Sequence, residues 1–481
     1  MSNKMNIEQI YTKCLAQGAY FIASNGEAAV IDPLRDPAPY LQRAKDMGVT
    51  IKYVMETHFH ADFVSGHHAL AEASGATIVF GPTANPNFPC KVAEDGEILP
   101  LGDISFKVTH TPGHTMESTC YILRDADDKD HALFSGDTLF LGDVGRPDLA
   151  QKAADTTMEQ LAGILFDSLR EKIMTLEPEV IVYPGHGAGS ACGKNMSKET
   201  VGTLGEQLES NYALRSDMTK EEFVVELIDG IAAPPQYFGM NVGMNKSAID
   251  GYASVALNAN NALNPEAVLE HKDALILDGR DPQVFAGQHV PGSMNIGLDG
   301  QFAPWVGALV PMDKVLILIA PEGRETEMIM RLARVGFDNV LGYLHGGLKA
   351  WTKAKMPTDK IQRITADVLE SNYADSKAQI LDVRALGEYQ AEHILDVNSL
   401  PLDAISTRIK ELPKATAKKP LIIHCAGGYR SMVFASIIKA NGHHHIMDVI
   451  GGFNAIKEMK GVPMSAYNCP SGSGGDNGIN V

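Results

Sequence analysis

Long uncharged apolar runs, cysteine and positive charge are all scarce in this chain, and each shortage removes a class of function. A helix that crosses a bilayer needs about 20 consecutive apolar residues, and no such run is found. The opening residues, Met-Ser-Asn-Lys-Met-Asn-Ile-Glu, hold no apolar signal core, so a cytoplasmic protein without a membrane partner is expected. The cysteines are Cys14, Cys90, Cys120, Cys192, Cys425 and Cys469, scattered without framework spacing. In a reducing compartment each is a free thiol serving packing or chemistry, not half of a disulfide. Lys and Arg number 41 against 59 Asp and Glu, a net charge of -18. Nucleic acids and anionic membranes are bound by clustered Lys and Arg, so neither is an expected partner. A small anionic substrate stays compatible, since one positive pocket can sit in a negative surface.

What is present points to several domains. At 481 residues the chain exceeds what one core usually supports, and 44% hydrophobic with 21% charged residues is ordinary for globular protein. From residue 7 to about 214, short strands and Gly-rich loops alternate with helices. Asn25-Gly26 between two apolar stretches signals a hairpin. Leu41, Ala44 and Met47 share one face of a helix over 39–47. Strands are expected at 51–56, 77–80, 104–108, 120–123, 131–134 and 180–183. The stretch 232–263 is rich in Asn, Ala and Gly with weak periodicity and reads as a connector. After it an internal repeat of roughly 105 residues sets in. Leu275-Ile-Leu-Asp278-Gly-Arg280 recurs as Gln379-Ile-Leu-Asp382-Val-Arg384, and His345-Gly346-Gly347 as Ile450-Gly451-Gly452. Each copy alternates buried-type strands with helices, such as 325–335 and 431–441, which indicates a small α/β domain with a mostly parallel sheet. The Gly- and Ser-rich end is too polar to order itself and reads as a flexible tail.

Four motifs in the first half centre on His or Asp and follow expected strands: Thr57-His58-Phe59-His60-Ala61-Asp62-Phe63, Thr111-Pro-Gly-His114, Ser135-Gly-Asp137 and Pro184-Gly-His186. Loops after strands can converge while the strands hold them rigid. His58 and His60 are too close to be two turns of a helix, so both can approach one site from a loop. Imidazoles with a carboxylate suit zinc, iron or copper. His67, His68, His131 and His271 lack such flanks and read as core or surface residues.

This ordered set resembles the metallo-β-lactamase superfamily over about 7–225. One position departs from it: where dinuclear members carry a second-metal imidazole after Asp62, this chain has Phe63, which argues against a two-zinc hydrolase. The stretch from Ser135 through Gly145-Arg146-Pro-Asp148 resembles the persulfide dioxygenase branch. That resemblance implies one Fe(II) per chain held by His58, His114 and Asp137, with zinc able to take its place in purified protein. His60, Asp62 and His186 would orient ligands or water from behind. Two His and one carboxylate with open positions is also the donor set of non-haem Fe(II) oxygenases. Arg146 is a candidate for gripping a substrate carboxylate or sulfur oxyanion, because a guanidinium forks onto both; a salt bridge to Asp143 or Asp148 is the competing reading. Cys192 could lie near the metal and carry substrate sulfur with its pKa depressed by Lys194, or simply pack.

Near the end lies Cys425-Ala-Gly427-Gly428-Tyr-Arg430-Ser431. It is expected between a strand and a helix, where backbone N–H groups and the helix dipole stabilise a thiolate or persulfide anion. With Asp382-Val-Arg384 and Gly451-Gly452 it resembles the rhodanese family over 363–466, with Cys425 as sulfur carrier and Arg430 beside it. The first copy, 261–360, resembles the same family but has Ala320 in place of the cysteine, with Glu322 and Glu325 nearby; it reads as a pseudo-rhodanese used for scaffolding or docking.

The expected architecture is therefore α/β and multi-domain. A metallo-β-lactamase αββα sandwich (1–225), a connector (226–260), two rhodanese-like α/β domains with mostly parallel sheets (261–360 and 363–466) and a tail (467–481) follow in order. The resemblance implies oxidation of a small persulfide, such as that of glutathione, by O2 to sulfite and thiol, with thiosulfate made at Cys425. It also implies a homo-oligomer, dimer or tetramer. The alternatives are a zinc thioester hydrolase of the glyoxalase II kind with an accessory sulfur carrier, and a non-catalytic sulfur carrier or persulfide sensor.

Overall fold

A computed structural model describes residues 5–151, 155–231, 233–374 and 379–468. The chain divides into two units: residues 1–257 with 329–338, and residues 258–328 with 339–481.

The first unit is built on two six-stranded mixed sheets. One runs in chain order from Asn6–Thr12 to Lys91–Val92, the other from Ile98–Leu101 to Gly202–Thr203. The strand Gln17–Ser24 is buried at every residue, and its pleat shows why. Tyr20 and Ile22 join Phe106, Tyr121 and Phe134 of the other sheet, whereas Ala19, Phe21 and Ala23 pack with Tyr40, Ala44 and Leu70 from outer helices. Side chains alternate between faces of a strand, so a strand with a sheet on one side and helices on the other is apolar throughout. On the far face of the second sheet, Ala162 and Leu165 of the helix Met158–Ser168 cover Ile122, Leu133 and Val182. The layering is the expected αββα sandwich. The hairpin forms at Asn25-Gly26, both at positive φ, with Ser24 paired to Glu27.

The second unit holds two five-stranded sheets of the same strand order, each wholly parallel. The central strands are Leu316–Ile319 and Leu421–His424, so Ala320 and Cys425 stand at equivalent carboxyl ends, where open α/β sheets place ligands. The helix after Cys425 runs Tyr429–Ala440, opening two residues earlier than its sequence suggests, because Gly428 caps it at φ +106.

The segment read as a connector carries helices at Phe238–Asn245 and Tyr252–Ala259, after a helix at Lys220–Ile228. These helices are only eight or nine residues long, too short for a period to stand out, and tertiary contacts supply what propensity does not. Residues 469–481 of the expected tail lie outside the described residues.

Candidate metal centre and sulfur-carrier loop

His58 lies just past the strand Thr50–Met55, and Thr57 fixes its ring. The Thr57 backbone N–H and hydroxyl each donate to Asp32 at 2.8 Å. With its proton on Asp32, the hydroxyl accepts from His58 Nδ1, 3.0 Å away, which leaves the lone pair on His58 Nε2. His114 obeys the same rule: its Nδ1 is 2.8 Å from the Arg146 carbonyl, which can only accept, so Nε2 is again the bare nitrogen. Asp137, directly after the strand Asp130–Gly136, accepts from His186 Nδ1 on Oδ1 at 2.8 Å. Its Oδ2 lies 3.9 Å from His58 Nε2 and 3.5 Å from His114 Nε2.

All three residues are buried, and among the described residues His114 Nε2 and Asp137 Oδ2 find no hydrogen-bond partner. Buried acceptors without partners are costly, and one cation satisfies the set. Donor atoms about 2.1 Å from one ion stand roughly 3 Å apart, close to the spacing here. Burial, with His60 nearby, pushes the His58 pKa well below its ordinary value, keeping the ring neutral as a ligand must be. Burial works against the Asp137 charge, but His186 outweighs it and holds the carboxyl far below the usual range. These residues fit a metal ion.

His60 has a different setting. Its Nε2 lies 3.1 Å from Asp32 and 3.4 Å from Glu56. Burial opposes its charge, yet the two carboxylates prevail and push its pKa up to about 10. It connects to His58 through Asp32 and Thr57. Glu56 also accepts from the Ser65 hydroxyl at 2.5 Å and stands 3.4 Å from His67, so His67 belongs to this buried network and not to the background. Phe63 is fully buried, its ring centroid 4.2 Å from that of His60. His186 bridges Asp137 and Asp62, with Nε2 2.8 Å from Asp62 Oδ2. The Cys192 sulfur is within 4.8 Å of ligand atoms of Asp62 and His186.

Two expectations change here. Lys194 does not lower the Cys192 pKa: its ammonium donates to the Glu226 and Asp229 carbonyls, while burial and the Asp62 and Asp137 charges push the thiol well up. Arg146 meets the site through its backbone carbonyl, and its guanidinium forks onto Asp148 at 2.6 and 2.8 Å and donates to the Ala191 carbonyl. Residues not singled out by sequence are Asp32, Glu56, Thr57 and Asn245. Asp32 and Glu56 directly follow paired parallel strands, and an acid at a strand's carboxyl end was the available signal. Asn245 gave none. From the helix Phe238–Asn245 its amide donates to the His60 and Phe63 carbonyls and accepts from Ser65 N–H, each at 2.8 Å.

In the second unit Cys425 is buried, and its sulfur accepts from Gly428 N–H at 3.1 Å. Its carbonyl accepts from Phe453 N–H at 2.7 Å. A Cβ on Gly452 would meet that carbonyl oxygen at 2.3 Å, so only glycine fits there. Arg430 forks onto Glu388 at 2.5 and 2.8 Å, and Ser431 donates to Asp448 at 2.6 Å. Arg384 pairs with Asp382 and covers the Phe453 ring at 3.7 Å. In the first copy Gly323 keeps the spacing and positive φ of Gly428 (φ +77). Pro321 offers no N–H, however, and the exposed Glu322 pairs with Lys349 at 2.9 Å.

Residues 13–186 match the metallo-beta-lactamase superfamily, and residues 265–354 and 365–459 match the rhodanese-like domain. A crystal structure titled metallo-beta-lactamase, from Staphylococcus aureus subsp. aureus COL, is 32% identical with a TM-score of 0.64, covering 72% of this chain and 99% of that one. The mitochondrial persulfide dioxygenase of Bos taurus is 30% identical over 223 residues, 46% of this chain and 78% of that protein. The chain belongs to the persulfide dioxygenase branch of the metallo-beta-lactamase superfamily. Two rhodanese-like domains follow this persulfide dioxygenase-type head in the same chain. The wider superfamily is close by: a hydroxyacylglutathione hydrolase of Rhodospirillum rubrum is 34% identical over 166 residues, 34% of this chain and 58% of that protein. Among the described residues no helix is long and apolar enough to cross a membrane.

Proposed function

We propose that the chain is an Fe(II)-dependent persulfide dioxygenase acting on a small persulfide of the glutathione kind, coupled to rhodanese-type formation of thiosulfate in sulfide detoxification. The observation that carries this reading is the set His58, His114 and Asp137. Each has its outer atom tied to the protein and its inner atom turned to one space, with Phe63 where a second-metal imidazole would stand. Fe(II) held by these three would supply the redox chemistry by which O2 oxidises sulfane sulfur. The net change is persulfide, O2 and water giving thiol, sulfite and two protons: the S–S bond breaks and four electrons pass from the outer sulfur to O2.

The chain's own residues orient and exclude. Thr57, the Arg146 carbonyl and His186 hold the three donors, and the Phe63 and Phe140 rings flank His186. Cys192, beside Asp62 and His186, has its thiol pKa pushed up by burial and is a poor nucleophile, so it does not carry the sulfur. At the second site the Cys425 thiolate attacks the outer sulfur of another persulfide and a thiolate leaves. Sulfite then takes that sulfur, releasing thiosulfate and the free Cys425 thiolate. Arg430 is forked onto Glu388 beside the loop. We place this chemistry in a cytoplasmic homo-oligomer.

Metal analysis combined with O2 uptake tests the reading. The purified protein should hold about one iron per chain and consume O2 with glutathione persulfide, producing sulfite. Two tightly held zinc ions with thioester hydrolysis and no O2 uptake would establish the hydrolase instead. O2 uptake absent and sulfur transfer alone remaining would make the chain a carrier.

A further inference from the structure

Resting on the assignment of Cys425 as sulfur carrier, we propose that the first rhodanese-like copy, which lacks the cysteine, is the seat that positions the sulfur loop of the second. Tyr429 follows Gly428 directly, and Gly428 is the residue whose N–H points at the Cys425 sulfur from 3.1 Å. The Tyr429 hydroxyl donates to the Gly297 carbonyl of the first copy at 2.8 Å. Its ring lies against Gly297 and Gly300. A Cβ on Gly300 would stand 2.4 Å from Tyr429 Cε2 and 2.5 Å from Cζ, and one on Gly297 would stand 3.2 Å from Cε2.

Neither glycine adopts positive φ. Backbone freedom therefore does not explain them, and room for the tyrosine does. A side chain at 300 has no way to fit without moving the ring, and moving the ring moves the Gly428 peptide. Two further contacts come from the same helix, Tyr429–Ala440. Asn295 N–H donates to the Ser436 hydroxyl at 2.9 Å, and Lys439 pairs with Asp359 at 3.1 Å. Positions 429, 436 and 439 are spaced so that they fall on one helix face. The equivalent of Tyr429 in the first copy, four residues after Ala320, is Arg324, whose guanidinium is engaged by Glu327 and Asp299. The docking is thus one-way: the blank copy holds the loop of the working one. Tyr429, Gly297 and Gly300 are positioning residues, acting through the Gly428 peptide.

The test uses the full chain, with sulfur transfer from glutathione persulfide to sulfite as the main readout. Gly300→Val and Tyr429→Ala should each lower kcat about tenfold or more, with the KM for sulfite nearly unchanged, as small misplacements of reacting groups do. Because both changes remove one contact, the double variant should be no worse than the poorer single one. Tyr429→Phe, which keeps the ring and loses the hydrogen bond, should fall in between and guards against a misfolded valine variant. Alkylation of Cys425 by iodoacetamide, followed by mass spectrometry, should become faster in Gly300→Val as the loop loosens, while O2 uptake at the first unit stays as in the unaltered protein. Normal transfer in Gly300→Val, or losses that multiply in the double variant, would overturn the seat. If the unaltered chain transfers no sulfur, the role of Cys425 falls, and the alkylation rates alone then decide whether the seat positions the loop.

Discussion

Thr57 has more influence on the metal centre than its place between two better-known residue types suggests. Its hydroxyl proton goes to Asp32 and its lone pair goes to His58, so one side chain sets both the tautomer and the angle of a ligand. Thr57→Val keeps the volume and removes that link. Metal affinity should drop about 10–100-fold, the usual effect of losing a group that orients a ligand, measured by competition with a chelator. Cys425→Ser should leave O2 consumption and sulfite production near normal while thiosulfate formation disappears, because a hydroxyl cannot carry a persulfide; normal thiosulfate production by that variant would take the role away from Cys425. At this scale the sequence told a good deal. His58, His114 and Asp137 announce themselves by type, and each is brought to one place. Asp32 and Thr57 do not, since an Asp ending a strand is also what a turn uses. The fate of Arg146 was open from sequence, because a guanidinium near Asp148 can serve a substrate or a neighbour with equal chemistry; here the carboxylate fork falls on Asp148.

Among the elements, strands were the most legible and the helices after residue 220 the least. A strand buried on both faces, such as Gln17–Ser24, is a continuous apolar run, and a hairpin at Asn25-Gly26 has a backbone requirement written into two residues. The helix Phe238–Asn245, Phe-Gly-Met-Asn-Val-Gly-Met-Asn, contains two glycines and two asparagines, all poor helix formers. Its stability comes from burial of Phe238 and from the hydrogen bonds of Asn245, which no local pattern reveals. Asn245→Ala would strand two carbonyls and one N–H in the interior at a cost of order 3 kcal/mol. Chemical denaturation should show that loss, and the loop bearing His60 and Phe63 should exchange its amide hydrogens faster. An unchanged midpoint would mean that water replaces the amide and that the helix is not what holds the loop.

For the whole molecule, the repeat foretold two copies of one small domain, and the identical strand orders agree with it. A scaffolding or docking role for the blank copy was expected from sequence, but not which residues would serve it, since contacts between copies leave no trace in either one alone. The blank loop is also silent for more than one reason. It lacks the sulfur at Ala320, Pro321 withholds an N–H, and Glu325 stands at the position of Arg430. Adding Ala320→Cys to Cys425→Ser should therefore not restore thiosulfate formation. Substantial recovery would show that the cysteine was all that was missing.

The three bonds that Asn245 makes to the loop of His60 and Phe63 also bear on how such a chain can be cut and recombined. The stretch that matches the superfamily ends at residue 186, yet one of the clasps on its metal loop lies nearly sixty positions further on. The natural exchangeable part is thus longer than the recognisable one. A gene fragment cut at the motif boundary, or between it and residue 245, carries His58, His114 and Asp137 but not this clasp. Swapping heads between such fusions should succeed only when the junction is drawn beyond it.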